Sequence, residues 1–199
     1  EACRSTYQQT KVQAERAAWE WIRRGARITI VNPSTVIGPV DRQPSPTGRL
    51  IRDFVSGRLP AYLNAMLNWI DVRDVAEGHW LAATRGRIGE RYLLAHENLT
   101  VGQFLALLAQ TCGRPIPRWR IPYAVAYAVG SMSELWAGWL GGEPRATRDG
   151  VRMTTVPMRY NGMKAVNDLG LPQTPLRITV ADAVRWLIER GYIQHGGSL

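Results

Sequence analysis

Two periods of hydrophobic spacing alternate along this chain. Val12, Ala14, Ala17, Ala18, Trp21 and Ile22 recur at helical intervals between Thr6 and Arg24, and Gly25 closes the run. Arg27-Ile28-Thr29-Ile30-Val31 is a β-branched run that reads as a buried strand. Asn32-Pro33 and Gly38-Pro39 then punctuate a loop at its carboxyl end. Asp41–Gly48 holds Pro44 and Pro46 and reads as a surface loop over a binding site; Leu50–Ser56 fits a short helix stopped by Gly57. Leu67–Val72 reads as a second strand, with Asp74 capping a helix from Val75 to Thr84. Glu90–Ala95 reads as a third strand, and Thr100 caps a helix from Val101 to Gln110.

The remainder is richer in helix. Arg118–Ile121 and Met158–Tyr160 fit short strands, Lys164–Leu169 a small helix ended by Gly170, and Val180–Arg190 a last helix capped by Thr179. Pro122–Leu140 is the most apolar stretch and approaches the ~20 residues that span a bilayer. Glu134, Gly130, Ser131 and Ser133 interrupt it, which favours a docked amphipathic helix and no transmembrane segment. Alternating strands and helices give an α/β fold, with a mainly helical lobe after the sheet.

Composition narrows the function classes. With 199 residues, 45% of them hydrophobic, the chain can bury the core of one domain. The net charge of +9 raises nucleic acid as a partner, but the arginines are scattered from Arg4 to Arg190 without zinc-finger or RNP-like spacing. No specific nucleic-acid partner is expected. Cys3 and Cys112 lie too far apart for a thiol metal site, and His79, His96 and His195 lack ligand spacing, so no metal is expected. A reducing cytoplasm is the default location.

The chemistry concentrates at Tyr7 and Lys11. Four residues apart on a helix, they share one face. A phenol titrates near ~10 and is a poor base at neutral pH until a nearby ammonium favours the phenolate. The same spacing also fits a half-buried ring beside a solvated charge. Lys11 and Lys164 are the only lysines in a chain otherwise reliant on arginine, which singles out Lys11, since the two cations are not interchangeable.

Tyr7-x-x-x-Lys11 with Ala14-Glu15, a strand into Asn32-Pro33 and Gly38-Pro39, and a strand into Asp71-Val72-Arg73-Asp74-Val75-Ala76 follow one another in order. This arrangement resembles the extended short-chain dehydrogenase/reductase superfamily, in its NAD-dependent epimerase/dehydratase branch. Pro44-Ser45-Pro46-Thr47-Gly48, Leu59-Pro60-Ala61-Tyr62, Leu67-Asn68, Gly78-His79 and Gly89-Glu90-Arg91-Tyr92 with Asn98-Leu99-Thr100 are most similar to the dihydroflavonol-reductase-like group and its hopanoid-associated sugar epimerases.

The resemblance implies the carboxyl-terminal part of a Rossmann-type doubly wound parallel sheet. Residues 1–95 would complete the NAD(P)-binding domain, and residues 96–199, interleaved with 38–66, would form the substrate lobe. The cofactor would be NAD or NADP. Tyr7 would be the catalytic acid/base and Lys11 would lower its pKa and bind the nicotinamide ribose, with Asn32, Pro33, Ser34, Thr35 and Val36 bordering the cofactor. Asn32, Gly38, Arg42 and Asn68 would face a sugar-like or small polar substrate. Asp71 and Asp74 would either position the substrate lobe or, as the favoured reading, cap a helix and pair with arginines. A homodimer through the Tyr7–Arg24 helix and a monomer with that helix packed on its own core read alike. The implied activity is oxidation–reduction or epimerisation at a secondary hydroxyl or carbonyl, in hopanoid lipid biosynthesis; a dinucleotide-binding sensor without turnover is the alternative.

Two departures qualify this. No Gly-x-Gly-x-x-Gly occurs in the sequence, and Gly141-Gly142 and Gly196-Gly197 have neither the spacing nor a preceding strand. Glu1 opens the chain just before the Tyr7 motif, so the expectation is a truncated protein, inactive by itself. Met66-Leu67-Asn68-Trp69 also lacks the arginine with which many nucleotide-sugar enzymes of the superfamily grip phosphate.

Overall fold

Strand β4 (Met66–Asp71) sits between two cores and explains the architecture. Its side chains alternate, so Trp69 joins one buried cluster and Ile70 the other. Trp69 stacks on Phe104 with ring centroids 4.0 Å apart, and Ile70 packs with Val75, Leu94 and Leu169. Each cluster draws residues from both sides of position 95. The structure is a computed structural model that describes residues 6–140 and 157–193, with the side chains of 6, 130 and 133–140 excepted. Cys3, Ser5, His195, Gly141-Gly142 and Gly196-Gly197 lie outside the described residues.

Helix α1 (Thr6–Arg23) leads to β1 (Ile30–Pro33) and β2 (Thr35–Ile37), followed by α2 (Pro46–Val55), β3 (Ala61–Tyr62), β4 and α3 (Val72–Arg85). Then come β5 (Arg91–Leu94), β6 (Glu97–Thr100), α4 (Val101–Cys112), β7 (Trp119–Arg120), α5 (Tyr123–Leu140), α6 (Met163–Leu169) and α7 (Leu176–Glu189). β1 pairs in parallel with β5, and β2 in parallel with β4, while β6 adds to β4 antiparallel. β3 and β7 form a separate parallel pair. Among the described residues, β1 has β5 as its only strand partner. The chain is thus α/β with parallel strands, as the alternating pattern implies.

Several elements differ from the sequence reading. The first strand starts at Ile30, after Gly89 donates its N–H to the Ile28 carbonyl, and Thr35–Ile37 forms a strand where a loop is expected. Asp71 caps α3, one turn earlier than expected: its backbone is extended and its carboxylate accepts the Arg73 N–H at 2.7 Å. Asp74 lies inside the first turn, where its carboxylate accepts from the Thr174 N–H and hydroxyl, both at 2.7 Å. Thr179 is likewise no cap. It is buried within α7 and donates its hydroxyl to Asp71 at 2.7 Å. Met158–Tyr160 forms no strand, because the Asn98 side chain donates to the Tyr160 carbonyl and accepts its N–H, both at 2.9 Å.

Asp71 is the junction of these elements. Burial pushes its carboxyl up, yet the Arg73 guanidinium, the Thr179 hydroxyl and the Arg73 N–H together hold it below its ordinary value of 3.8. Arg73 also reaches Asp182 of α7 at 2.8 Å, which ties α3, β4 and α7 together.

Candidate functional site

Tyr7 and Lys11 lie in the first two turns of α1, which starts at Thr6. The Lys11 Nζ is 5.5 Å from the Tyr7 ring centroid, so the shared helix face brings the two together. Tyr7 is 64% exposed, which leaves its hydroxyl accessible. One helical turn beyond Lys11, Glu15 pins α1 to the sheet. Its carboxylate accepts from Arg91 at 2.7 Å and from the Asn32 amide and the Trp19 indole, both at 3.5 Å. Burial raises the Glu15 pKa, but the Arg91 guanidinium and these lesser bonds outweigh it and hold the acid below its ordinary value. This contact joins the Tyr7 helix to the carboxyl end of β1.

That end carries the clearest unmet chemistry in the fold. The Asn32 Oδ1 and the Ser34 Oγ are buried and have no hydrogen-bond partner among the described residues. Buried polar atoms are nearly always paired, so two orphans two residues apart indicate groups aimed at a ligand. One is an acceptor; the other is a hydroxyl able to donate or accept. Together they suit a primary carboxamide. The Ser34 N–H itself is used by the Leu94 carbonyl at 2.9 Å, which fixes the backbone.

Beyond β2 the chain folds into a cleft of about 260 Å³. Val36, Gly38, Val40, Asp41, Thr47 and Val72 are among the residues lining it. Gly38 has φ +152°, and a Cβ there would fall 2.4 Å from the Val72 Cγ1, so the site demands glycine. Val40, a β-branched residue, is held at φ 69°. Such outliers concentrate at functional loops because the surrounding structure must over-determine them. Here the support is a local network. The Asp41 carboxylate accepts from the Ser45 N–H at 2.9 Å and hydroxyl at 2.8 Å, and the Thr47 hydroxyl donates to the Val36 carbonyl at 3.2 Å. Ser45 caps α2 by accepting the Gly48 N–H at 3.1 Å. Serine immediately before Pro46 is the sequence signal for this cap. No sequence pattern announces the positive φ at Val40.

The expected site residues therefore fall into distinct places. Tyr7 and Lys11 share α1, Asn32 to Val36 run along β1 and β2, and Val36 and Gly38 also line the cleft. Arg42 is exposed in the loop, and its carbonyl accepts the Tyr192 hydroxyl. Asn68 is wholly buried: its amide donates to the His96 carbonyl at 3.3 Å and to Asn98 at 3.0 Å, and its oxygen accepts the His96 N–H at 3.0 Å. Among the described residues no cluster of His, Cys, Asp and Glu could hold a metal ion.

A profile of the NAD dependent epimerase/dehydratase family matches residues 2–95. A candidate dihydroflavonol 4-reductase of Synechocystis is 43% identical over 192 residues, covering 94% of this chain and 56% of the relative. Sterol demethylase protein B of Methylococcus capsulatus is 34% identical over 189 residues, covering 94% of this chain and 58% of its own length. A solved nucleoside-diphosphate-sugar epimerase from Pseudomonas aeruginosa superposes with a TM-score of 0.80 at 29% identity, over 97% of this chain and 58% of that one. The chain thus spans a little over half the length of the curated relatives it matches.

Proposed function

We propose that this chain, which a profile of the NAD dependent epimerase/dehydratase family matches over residues 2–95, forms the nicotinamide-facing part of an NAD(P)-dependent oxidoreductase or epimerase. Its target is a secondary hydroxyl or carbonyl. The observation that carries the reading is the pair of partnerless buried atoms, Asn32 Oδ1 and Ser34 Oγ, at the carboxyl end of β1. Ligands in open α/β sheets gather at that end.

In this proposal Asn32, Pro33, Ser34, Thr35 and Val36 border the nicotinamide carboxamide, and Lys11 holds the adjoining ribose. A bound nicotinamide supplies hydride exchange. Tyr7 gives a proton to the substrate oxygen as a carbonyl is reduced, or takes it as a hydroxyl is oxidised. The Lys11 ammonium lies beside the reacting phenol, its Nζ 5.5 Å from the Tyr7 ring centroid. Gly38 and Arg42 face the substrate, while Asn68, its amide already bonded inside the fold, fixes β4 against β6 beneath it.

The substrate is proposed to be a sugar-like or small polar molecule without a diphosphate. Among the described residues the cleft lining holds the Asp41 carboxylate and no lysine or arginine, and the neighbouring Arg42 lies exposed in the loop, so the lining itself offers a phosphate no cation. A place in hopanoid lipid biosynthesis belongs to this reading through the sequence resemblance alone. The 199 residues are expected to show no turnover by themselves, because no glycine-rich strand-to-helix turn for the pyrophosphate occurs among them.

The test is turnover by the longest open reading frame that contains these residues, assayed with NADH and NADPH. Tyr7→Phe is expected to lower kcat at least ~100-fold with cofactor affinity retained, as for loss of a general acid/base. A dinucleotide-binding module without catalysis would bind cofactor and show no turnover in either form. Undiminished turnover in Tyr7→Phe would remove Tyr7 from the chemistry.

A further inference from the structure

The segment from Arg114 into α5 turns its apolar side outward. Val125, Val129 and Met132, spaced four and three apart, form one helical stripe, and they are 51%, 55% and 59% exposed. Pro122 and Ala128 are exposed on the same stripe, so the outward face is apolar over the described side chains from Pro122 to Met132. Just before the helix, Trp119 is 77% exposed and Tyr123 follows it at 40%. A surface helix ordinarily shows the reverse, with its polar face toward water.

The charge along the segment leading into this face has one sign. From Asn98 to Ser133 the chain contains no aspartate or glutamate, whereas Arg114, Arg118 and Arg120 bracket Ile116 and Trp119. β3, which pairs with β7 beneath Trp119, is flanked by Arg58 and has no acidic residue between Gly57 and Asn64. Exposed Trp and Tyr beside arginines, leading into an apolar stripe, match the chemistry of a bilayer interface. A nucleic acid would engage the arginines and the tryptophan but has no apolar surface to receive Val125, Val129 and Met132. No helix among the described residues is long and apolar enough to cross a membrane, so any contact of this segment with a bilayer would be at its surface.

We propose that residues 114–132 dock this protein on an anionic lipid bilayer. Trp119, Val125, Val129 and Met132 enter the headgroup layer, and Arg118 and Arg120 face lipid phosphates. The partner is the membrane surface itself, through hydrophobic insertion and basic attraction acting together. One consequence is that enzyme and any lipid-dissolved substrate are brought to the same interface.

Co-sedimentation with vesicles tests this directly, using phosphatidylcholine alone or mixed with phosphatidylglycerol, at low and at high salt. Binding to the mixed vesicles is expected to exceed binding to the neutral ones at least ~tenfold and to weaken with salt. Arg118→Ser is expected to weaken it about fivefold. Val129→Glu, at an exposed position that folding does not use, is expected to weaken it at least ~tenfold with an unchanged circular dichroism spectrum. Equal binding to both vesicles, or full binding by Val129→Glu, would overturn the proposal. So would a lack of vesicle binding combined with self-association that Val129→Glu abolishes, since that would assign the face to a second copy.

Discussion

Asp71 shows how much a single carboxylate can organise. It caps α3, receives the Thr179 hydroxyl from α7 and pairs with Arg73, all from a fully buried position. Its folded pKa lies below the unfolded value, so the unfolded chain takes up a proton first as pH falls. The stabilisation is complete above about pH 4 and is lost on acidification through the depressed folded pKa. Asp71→Asn is expected to lower stability by about 2 kcal/mol at neutral pH, the scale of lost hydrogen bonds to a charged group. It should also flatten the acid limb of a denaturation-versus-pH profile. An unaltered limb would mean that other carboxylates, Glu15 among them, control acid unfolding. The sequence shows a cap signal in Asp71-Val72-Arg73-Asp74, but it reads more naturally from Asp74, one turn late, because both aspartates precede the apolar helical run. The pairing of Asp71 with Thr179 is not legible there, because nothing local links residues 108 apart.

At the scale of elements, legibility follows length and periodicity. α4 was readable from Thr100 and the apolar spacing that follows, and the structure adds a full capping box. There Thr100 accepts the Gln103 N–H at 3.2 Å and donates its own N–H to the Gln103 side chain at 2.8 Å. Thr100→Ala is expected to cost about 1 kcal/mol in chemical denaturation, the usual worth of a cap. β6 was illegible because Glu97-Asn98-Leu99-Thr100 is polar and becomes a strand only by pairing with β4. β3 has two residues, too few for any period to register, whereas the equally short β7 falls within the Arg118–Ile121 strand read from the sequence. The loop after β2 depends on Gly38. Gly38→Ala is expected to destabilise by about 2 kcal/mol, from a strained φ and a close approach to Val72. That corresponds to a fall in Tm of ~4–8 °C. Adding Val72→Ala should recover part of the loss, since the Val72 side chain makes the two shortest contacts.

For the whole molecule, order along the chain was more informative than any single motif. The Tyr7/Lys11 pair, the Asn32-Pro33 strand end and the Asp71 strand end are each ambiguous, yet their order along the chain points to the family whose profile matches residues 2–95. What the sequence could not show is how these pieces meet. Glu15 bridges the Tyr7 helix to Asn32 and Arg91, an arrangement that depends on β1 pairing with β5. The inverted face of α5 was equally hidden, because an apolar stripe reads the same whether it points inward or outward. In the proposed function the nicotinamide lies beside Asn32 and Ser34, with Tyr7 and Lys11 on the neighbouring helix.

Saturation-transfer NMR of NADH with this chain tests that placement most directly, because it reports which ligand protons touch protein even when binding is weak. The nicotinamide protons should receive more saturation than the adenine protons, and Asn32→Leu should abolish the difference. Transfer to adenine alone, or an unchanged pattern in Asn32→Leu, would contradict the assignment of the β1 end as the nicotinamide site.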